Sequence, residues 1–313
     1  MATSNYGFLF IPGIDEILFE LMKSYKPVWR ELFNVQSTKM RYIDRQTVEG
    51  YQLPVGRVPG QQIADGQWRP SFNMHYVIRN FGLKDSAPEE DIEDDLYGAI
   101  NRMMASKAGA FARSFQDLME YDTSNYLSVQ GFASGSNVAG TPDGKSIFNT
   151  AHPISASNLT TTWANRPSVE IDLSVAGAQA AATNLRTQKY PNNLTYMNNE
   201  PAVVCFNPAL HYIAQQVYKG LWEPNTANRN DNNLRFDRVK LVPWAYWTKS
   251  GATGTNNAWF VLGRERYLRM FIRQGYQTKT QPDINTNSLI IAATCRYTEG
   301  IDDPRGTWGT TGA

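Results

Sequence analysis

One stretch of the chain, Gln46 to Leu83, limits the possible folds more than any other. It shows no helical periodicity, and turn-forming residues interrupt it at Gly50, Pro54, Gly56, Pro59, Gly60, Gly66 and Pro70. A segment of this length without a helix is unusual inside a compact domain and is normally functional or disordered. Its aromatic side chains favour an ordered segment that contacts another surface. They are Tyr51, Trp68, Phe72 and Tyr76.

A long helix is predicted directly after this stretch. Ser86-Ala-Pro-Glu89 matches a capping box with proline in the first turn, so the helix is expected to begin at Ala87. Apolar residues of the following segment keep a 3.6-residue period for about nine turns. They are Ile92, Leu96, Ile100, Met103, Met104, Phe111, Phe115, Leu118 and Met119. A helix of this length can span the whole molecule.

Shorter elements are predicted on either side of this helix. A short amphipathic helix is expected from Ile14 to Met22, and residues 131–153 are expected to form loop and turn. Further helices are predicted at 174–187 and 208–219, and strands at 74–78, 202–206, 234–242, 258–262, 268–273 and 289–297. Because helices and strands both occur without regular alternation, the sequence predicts the α+β class.

The composition is that of a globular chain without a strong charge bias. Of 313 residues, 42% are hydrophobic, and 30 Lys and Arg against 29 Asp and Glu give a net charge of +1. This balance gives no argument for binding of nucleic acid or membrane by the protein as a whole. Cys205 and Cys295 lie in apolar sequence and are expected to be free thiols. Neither a cleaved signal peptide nor a membrane span is predicted.

Motifs for nucleotide binding, metal binding and nucleophilic catalysis are incomplete. Residues 140–146 are similar to a phosphate-binding loop, but Ala139 stands where the first glycine is required. The histidines lie in different elements without the spacing of a zinc site. In Gly131-Phe-Ala-Ser-Gly135 the serine is one position too late for a nucleophile elbow. The sequence therefore predicts no catalytic residue, no cofactor and no metal.

Three carboxylates near the C-terminal end leave one enzymatic alternative open. Glu299, Asp302 and Asp303 are close in sequence, and the chain is rich in Trp and Tyr, as sugar-cleaving enzymes can be. They precede Pro304-Arg-Gly306, where a turn or an ion pair with Arg305 is the favoured interpretation. A soluble carbohydrate hydrolase is the alternative function from a different class.

The order of elements resembles that of the major capsid proteins of tailed bacteriophages. An N-terminal arm precedes the extended loop, and the single long helix is followed by a loop with a His-Pro turn, a mixed lobe and C-terminal strands. At residue level, three segments resemble those of Mu-type head subunits. They are Gly144-Lys-Ser-Ile-Phe-Asn-Thr-Ala-His-Pro153, Asn198–Leu210 and Cys295–Gly306. The resemblance covers the chain from about residue 40 onward, and none of the three segments is catalytic.

The resemblance implies a division of the chain into the parts of that fold. Residues 1–45 would be the N-terminal arm, and residues 46–86 the extended loop that overlaps a neighbouring subunit. Residues 87–170 and 265–313 would form a discontinuous peripheral domain that contains the spine helix. Residues 171–264 would form the axial domain at the centre of a capsomer. A fused scaffolding domain is not expected, because no long charged N-terminal extension is present.

The function implied by the resemblance is that of a major capsid protein. Copies of the chain would assemble through pentamers and hexamers into the icosahedral head shell that encloses the phage genome. The implied partners are the chain itself, portal and decoration proteins, packaged DNA through non-specific contact, and either a separate scaffolding protein or none, without a membrane. The implied localisation is the virion capsid, after assembly in the host cytoplasm. An encapsulin-type nanocompartment shell, which encloses protein cargo, is the alternative with the same fold.

Aromatic and arginine side chains of the extended loop are the predicted subunit contacts. The candidates are Arg57, Trp68, Arg69, Phe72 and Tyr76. Some capsids of this family join a loop lysine covalently to an asparagine of a neighbour. The present chain has no lysine between Lys39 and Lys84, so a shell without such links is expected.

Overall fold

A computed structural model describes residues 26–66, 68–88, 99–133, 140–220, 238–248 and 256–313. In these residues the helices are α1 (Trp29–Leu32), α2 (Ala99–Asn125), α3 (Val175–Thr187) and α4 (His211–Lys219). A π-helical turn, Tyr126–Gln130, follows α2, and a 3-10 turn, Pro208–Leu210, precedes α4. The strands are β1 (Asn34–Ser37), β2 (Tyr42–Val48), β3 (Pro70–Val77), β4 (Arg79–Pro88), β5 (His152–Ser155), β6 (Asn158–Trp163), β7 (Pro201–Phe206), β8 (Lys240–Pro243), β9 (Trp259–Gly263), β10 (Leu268–Asp283), β11 (Ser288–Ile301) and β12 (Thr307–Thr310).

The strands of the described residues form two four-stranded sheets and two two-stranded ribbons. The first sheet has the order β1–β10–β11–β4, in which β10 and β11 are a long antiparallel hairpin and β1 runs parallel to β10. The second sheet has the order β12–β9–β7–β8, with β7 parallel to β8. The ribbons are β2–β3 and β5–β6.

Helix α2 packs on the first sheet and connects it to the second. The ring of Phe115 meets that of Tyr276 edge-on at 5.1 Å, which joins the helix to β10. Glu120, 1% exposed, accepts hydrogen bonds from Trp244 Nε1 at 2.7 Å and from the backbone of Val28 at 2.6 Å. A buried polar group is tolerated when it is hydrogen-bonded, so this glutamate ties three segments together inside the core.

Helices α3 and α4 cover the second sheet and bury a separate apolar cluster. Alanines of α3, such as Ala178 and Ala181, allow a close approach to Trp259 and Trp308, whose rings are 4.9 Å apart. Ser174 caps α3 by accepting a hydrogen bond from the backbone of Gly177 at 3.2 Å. Apart from Trp308 and β12, the residues of this lobe fall within residues 171–264, whose assignment as the axial domain stays a prediction.

Several predicted elements agree with the structure. The α+β class, the helix after Ser174, the turn and helix after Asn207 and the strand before it are confirmed, as are both free cysteines. The absence of a helix is confirmed for the described part of residues 46–83. The strands predicted at 268–273 and 289–297 are longer than expected. The predicted helix at 14–22, and residues 89–98 and 234–237, lie outside the described residues.

The predicted helix start at Ala87 is wrong. Ala87 and Pro88 are the last residues of β4, and they pair with Leu289 and Ser288 of β11. A capping box offers hydrogen bonds within one turn, whereas β11 offers a continuous ladder along the whole of β4. Tertiary pairing therefore prevails over the local signal, and proline is tolerated because β4 is an edge strand of the sheet. The prediction of loop and turn up to residue 153 is also wrong at its end, because His152 and Pro153 begin strand β5 of the β5–β6 ribbon.

Candidate subunit-contact surface

The extended loop begins and ends on the β2–β3 ribbon. Tyr42 pairs with Val77 at one end of the ribbon, and Val48 pairs with Pro70 at the other. The backbone N–H of Glu49 donates to the carbonyl of Arg69 at 3.0 Å, which closes the ribbon. The described residues beyond this point, 50–66 and 68, contain no helix or strand.

The loop is shaped by its own hydrogen bonds. Gly60 has a φ of 88°, a left-handed conformation that glycine adopts readily, and the backbone N–H of Gln61 donates to the carbonyl of Val58 at 3.0 Å. Arg57 Nη1 donates to the carbonyl of Gln61 at 3.1 Å. Closer to the ribbon, a Cβ on Gly66 would lie 3.0 Å from the ring of Tyr51. The tip is therefore an ordered turn although it has no core.

The large apolar side chains of this loop face solvent. Each is between 53% and 71% exposed: Tyr51, Leu53, Val55, Val58, Ile63 and Trp68. Scattered apolar residues are common on protein surfaces, but a continuous set on one projecting loop is typical of a binding surface. Sequence reasoning selected the aromatic members and missed the aliphatic ones. The sequence does contain a signal for them, because aliphatic residues in a segment rich in Gly and Pro have no regular helix or strand in which to be buried.

The predicted contact residues occupy different environments. Trp68 and Arg69 are exposed, Phe72 is half-buried, and Arg57 bonds to its own turn. Tyr76 is 1% exposed and packs edge-on against Phe271 at 5.0 Å, so its side chain is used inside its own chain. The interface role of the other four stays a prediction.

The base of the loop is attached to its own chain at several points. Glu49 accepts a hydrogen bond from the hydroxyl of Ser157 in the turn between β5 and β6. Desolvation raises the pKa of Glu49, but hydrogen bonds from Ser157 and Ser155 and the charge of Arg69 outweigh it, so the pKa is lowered. Asn192 Nδ2 donates to the carbonyl of Tyr51 at 3.3 Å. The base is thus fixed by hydrogen bonds, whereas the apolar side chains of the tip are exposed.

The carboxylates considered for hydrolysis are each paired with an arginine of this chain. Arg79 donates to both carboxylate oxygens of Glu299, and Arg269 Nε donates to Asp302 at 2.8 Å. Asp303 contacts Arg305 at 2.9 Å, which confirms the predicted ion pair. Among the described residues, no group of His, Cys, Asp or Glu is arranged to hold a metal ion.

Glu299 is buried beside both an arginine and a second carboxylate. Burial raises the pKa of Glu299, the charge of Arg79 opposes this rise, and the nearby carboxylate of Asp122 adds to it. Arg79 also contacts Asp122 at 3.2 Å, so one guanidinium serves two carboxylates, one from the sheet and one from α2. A perturbed carboxylate can indicate catalysis, but ion-pair networks perturb pKa values equally well.

The His-Pro segment has a structural role in the described residues. His152 is fully buried, contacts Asp143 Oδ2 through Nδ1 at 2.6 Å and stacks on Trp163 at 4.8 Å. Arg305 lies 4.9 Å from the same indole ring and donates to the carbonyl of Ile154 at 2.7 Å. Two of the segments that carried the family resemblance therefore meet around one tryptophan.

The fold identifies a class of protein. Similar solved structures include one from Microbacterium phage Oxtober96, at 9% identity over 92% of each chain with a TM-score of 0.53. Another is the capsid of the cyanophage P-SCSP1u, at 12% identity over 92% of this chain and 88% of the other, with a TM-score of 0.54. A third is the capsid of an empty GTA particle, at 9% identity over 92% of each chain, also with a TM-score of 0.54. At such identities the likeness establishes the fold, which is that of phage capsid subunits.

The family follows from the sequence itself. The model of a family described as phage capsid protein matches residues 76–309, and the chain belongs to this family. The search of curated proteins found no match. The resemblance to tailed-phage major capsid proteins is confirmed, whereas the finer likeness to Mu-type subunits stays a prediction. The chain is a structural protein of the phage head shell, located in the virion capsid. Among the described residues, no helix is long and apolar enough to cross a membrane.

Proposed function

We propose that copies of this chain assemble in rings of five and six into the closed icosahedral head shell. In this arrangement the axial lobe, residues 171–264, lies at the centre of each ring. The extended loop, residues 46–86, lies over a neighbouring copy. Assembly takes place in the host cytoplasm, with a separate scaffolding protein and with portal and decoration proteins as further partners.

The observation that carries this proposal is the exposed apolar set on the loop. Leu53, Val55, Val58 and Ile63 pack on no core of their own chain and project beyond a base that is fixed by hydrogen bonds. Burying one such side chain contributes about 1.5–3 kcal/mol, and a symmetric assembly repeats that gain at every subunit. A partner surface on a second copy is therefore the simplest way to cover them.

Electron microscopy of the purified protein tests the proposal. Closed shells are expected, with five-fold and six-fold rings visible after image averaging. Nucleic acid inside particles purified from infected cells supports the phage head, whereas protein cargo supports the encapsulin-type alternative. A monomer at every protein concentration and salt concentration, with and without added scaffold, would contradict the proposal.

The loop itself is tested by deleting residues 52–70. The protein is expected to remain soluble and helical but to form no shells, because most of the deleted residues lie beyond the ribbon and only Arg69 and Pro70 pair with β2 and Glu49. A gentler variant keeps the loop length and replaces Val55, Val58 and Ile63 by serine. Its matched control replaces Leu159 and Val169, which are equally exposed but lie outside the loop, and should still assemble. Unfolding of the deletion variant would place the loop in the core and overturn the division.

Contact with DNA is proposed to be weak and independent of sequence. The net charge of +1 offers little release of counterions, and no base-reading motif is present in the sequence. Fluorescence anisotropy with labelled duplexes of two different sequences should give equal, salt-sensitive, low affinities. Tight binding that differs between the two sequences would contradict this part of the proposal.

A further inference from the structure

Two Asp-Gly sequences occur in the chain, at Asp65-Gly66 in the extended loop and at Asp143-Gly144 before the His-Pro segment. Aspartate followed by glycine is prone to a reaction in which the backbone nitrogen of the glycine attacks the side-chain carboxyl of the aspartate. Glycine favours this attack because it has no Cβ to hinder the nitrogen. The attack also requires that the carboxyl group and the backbone between the two residues can rotate. The structure places the two sequences in opposite surroundings.

The carboxylate of Asp143 is held through both of its oxygens. Oδ2 contacts Nδ1 of the fully buried His152 at 2.6 Å, and Oδ1 accepts a hydrogen bond from the backbone N–H of Lys145 at 3.1 Å. The side chain of Asp143 is 2% exposed. An attack on its carboxyl carbon has to break both contacts, and water has to reach the buried product. Asp143 can therefore react only when this region opens locally.

Asp65 is not held in this way. Asp65 and Gly66 are both exposed, and within the part of the chain that the structure describes neither the Asp65 carboxylate nor the backbone N–H of Gly66 has a hydrogen bond or ion pair. The carbonyl of Asp65 accepts a hydrogen bond from Gln52 Nε2 at 3.3 Å. A donor at this carbonyl draws electron density from the peptide group, so the N–H of Gly66 loses its proton more readily, and the nitrogen attacks once that proton is lost.

We propose that Asp65 is a site of spontaneous isomerisation to isoaspartate. In the first step a bond forms between the Gly66 nitrogen and the side-chain carboxyl carbon of Asp65, and the carboxyl hydroxyl leaves with the amide proton as water. The product is a five-membered succinimide ring. In the second step water adds to the backbone carbonyl carbon of the ring, and the bond from that carbon to the nitrogen breaks. The chain then runs through the former side chain, the former backbone carbonyl is a free carboxylate, and the mass is unchanged.

The modification changes the extended loop at a place where the backbone has little room. Isomerisation lengthens the backbone before Gly66 by one carbon atom and moves the carboxylate of residue 65 onto its α-carbon. A Cβ on Gly66 would lie 3.0 Å from the ring of Tyr51, so this ring limits the shift of the backbone at Gly66. The reaction needs no enzyme, oxidant or cofactor. It belongs to the single subunit and does not depend on the proposed assembly.

The experiment follows both Asp-Gly sequences in one sample of the full chain, kept for weeks at neutral pH below its unfolding temperature. Trypsin releases residues 58–79 and 114–145 as separate peptides, each with one of the two sequences. Electron-transfer mass spectrometry distinguishes isoaspartate from aspartate in each peptide. In the folded protein isoaspartate should accumulate at residue 65, and at least about tenfold more slowly at residue 143. In urea that unfolds the chain, both aspartates should isomerise at similar rates.

Two substitutions at the same exposed position test the chemistry. Asp65→Glu should abolish the product, because its ring would have six members and closes far more slowly. Asp65→Asn should accelerate the reaction, because the same succinimide then forms by loss of ammonia, and the products gain the mass difference between an amide and a carboxyl group. Both variants should unfold at the wild-type temperature, measured by circular dichroism.

Three other outcomes contradict the inference. Equal rates at residues 65 and 143 in the folded protein would show that the sequence alone determines the reaction. Isomerisation of residue 65 only in urea would show that the folded loop prevents the attack. Isomerised product from Asp65→Glu in the peptide of residues 58–79 would place the reaction elsewhere, because Asp65 is the only aspartate of that peptide.

Discussion

The hydroxyl of Tyr76 donates a hydrogen bond of 2.7 Å to Oδ1 of Asp302, which lies 226 residues further along the chain. The other oxygen of Asp302 accepts from Arg269 at 2.8 Å. Burial raises the pKa of the Tyr76 phenol, so the hydroxyl keeps its proton and acts as a donor at neutral pH. This contact fastens the ribbon that carries the extended loop to the first sheet within one subunit.

The contribution of this hydrogen bond can be measured with Tyr76→Phe. The variant keeps the buried ring but leaves one oxygen of Asp302 without its donor, so the free energy of unfolding should fall by about 1–3 kcal/mol. Tyr42→Phe is the control, because Tyr42 is exposed and its hydroxyl has no hydrogen bond among the described residues. Chemical denaturation followed by tryptophan fluorescence gives both values. Equal stability of the two variants would show that the contact contributes nothing.

Close packing at the same place predicts a cost for Gly300→Ala. A Cβ on Gly300 would lie 2.3 Å from the ring of Tyr76, so the ring must shift out of its contact with Phe271. Overpacking of this kind typically costs about 1–3 kcal/mol. Gly275→Ala on the neighbouring strand is the matched control, since an added Cβ there meets nothing within 4 Å. A fall in the unfolding temperature of Gly300→Ala alone is the expected result.

Glu299 should give the stability a measurable dependence on pH. Its pKa is raised by burial, so between the ordinary value of 4.5 and the folded value the folded chain binds more protons than the unfolded chain. Stability from this group therefore falls as the pH rises through that window. The free energy of unfolding of wild type minus that of Glu299→Gln should therefore decrease as the pH rises above 4.5. Parallel curves for the two proteins would contradict the assignment.

Glu200→Gln is a control for which the pH dependence of the free energy of unfolding should have the opposite sign. The hydrogen bond from Arg186 lowers the pKa of Glu200, so its stabilisation is present above the ordinary value and is lost as the pH falls. The effect should be small because both side chains are about two-fifths exposed and screened by solvent. If the differences in free energy of unfolding between wild type and the two variants change with pH in opposite directions, the contribution of each glutamate can be separated from the overall acid denaturation of the protein.

Sequence reasoning succeeded where one short segment determines its own structure. Asn207-Pro208 starts a helix because the asparagine side chain bonds to the backbone of Ala209 locally, at 3.0 Å. It failed at Ala87, where β11 supplies hydrogen bonds from two hundred residues away. The contact of Tyr76 with Gly300 is of the same kind: nothing in either local sequence indicates that the two positions meet.

The candidate site divides in the same way. The glycines and prolines of residues 46–70 predict an exposed loop, because turn chemistry is local. Which residues of the adjoining strand β3 are buried depends on the register of the β2–β3 ribbon. In this register the side chain of Tyr76 is buried and that of Val77 is exposed. The aromatic content of a strand cannot reveal which face meets the sheet, so Tyr76 was grouped with Trp68 although only Trp68 is exposed.

The arginines near the extended loop prove to be largely engaged within the chain. Loop arginines are among the predicted subunit contacts, but the nearby Arg79 binds Glu299, and Arg45 donates to Gln36 at 2.6 Å and lies over the ring of Phe271. Arg57 bonds to its own turn. Cohesion between copies is therefore expected to come mainly from apolar burial, which high salt does not weaken. Shells should consequently survive a salt concentration that dissociates assemblies held by exposed ion pairs.

The shell is also predicted to lack covalent links between subunits. A link of lysine to asparagine needs a free amine, and an arginine guanidinium stays protonated and does not replace it. The loop between Lys39 and Lys84 carries no lysine, and Lys84 lies in β4, where it pairs with Ala292, rather than at the tip of the loop. Purified particles boiled in detergent and reductant should therefore run as one band near 35.3 kDa. A ladder of higher bands would show that another amine makes the link, and Lys39→Arg and Lys84→Arg would then identify it, because arginine keeps the charge but cannot form the bond.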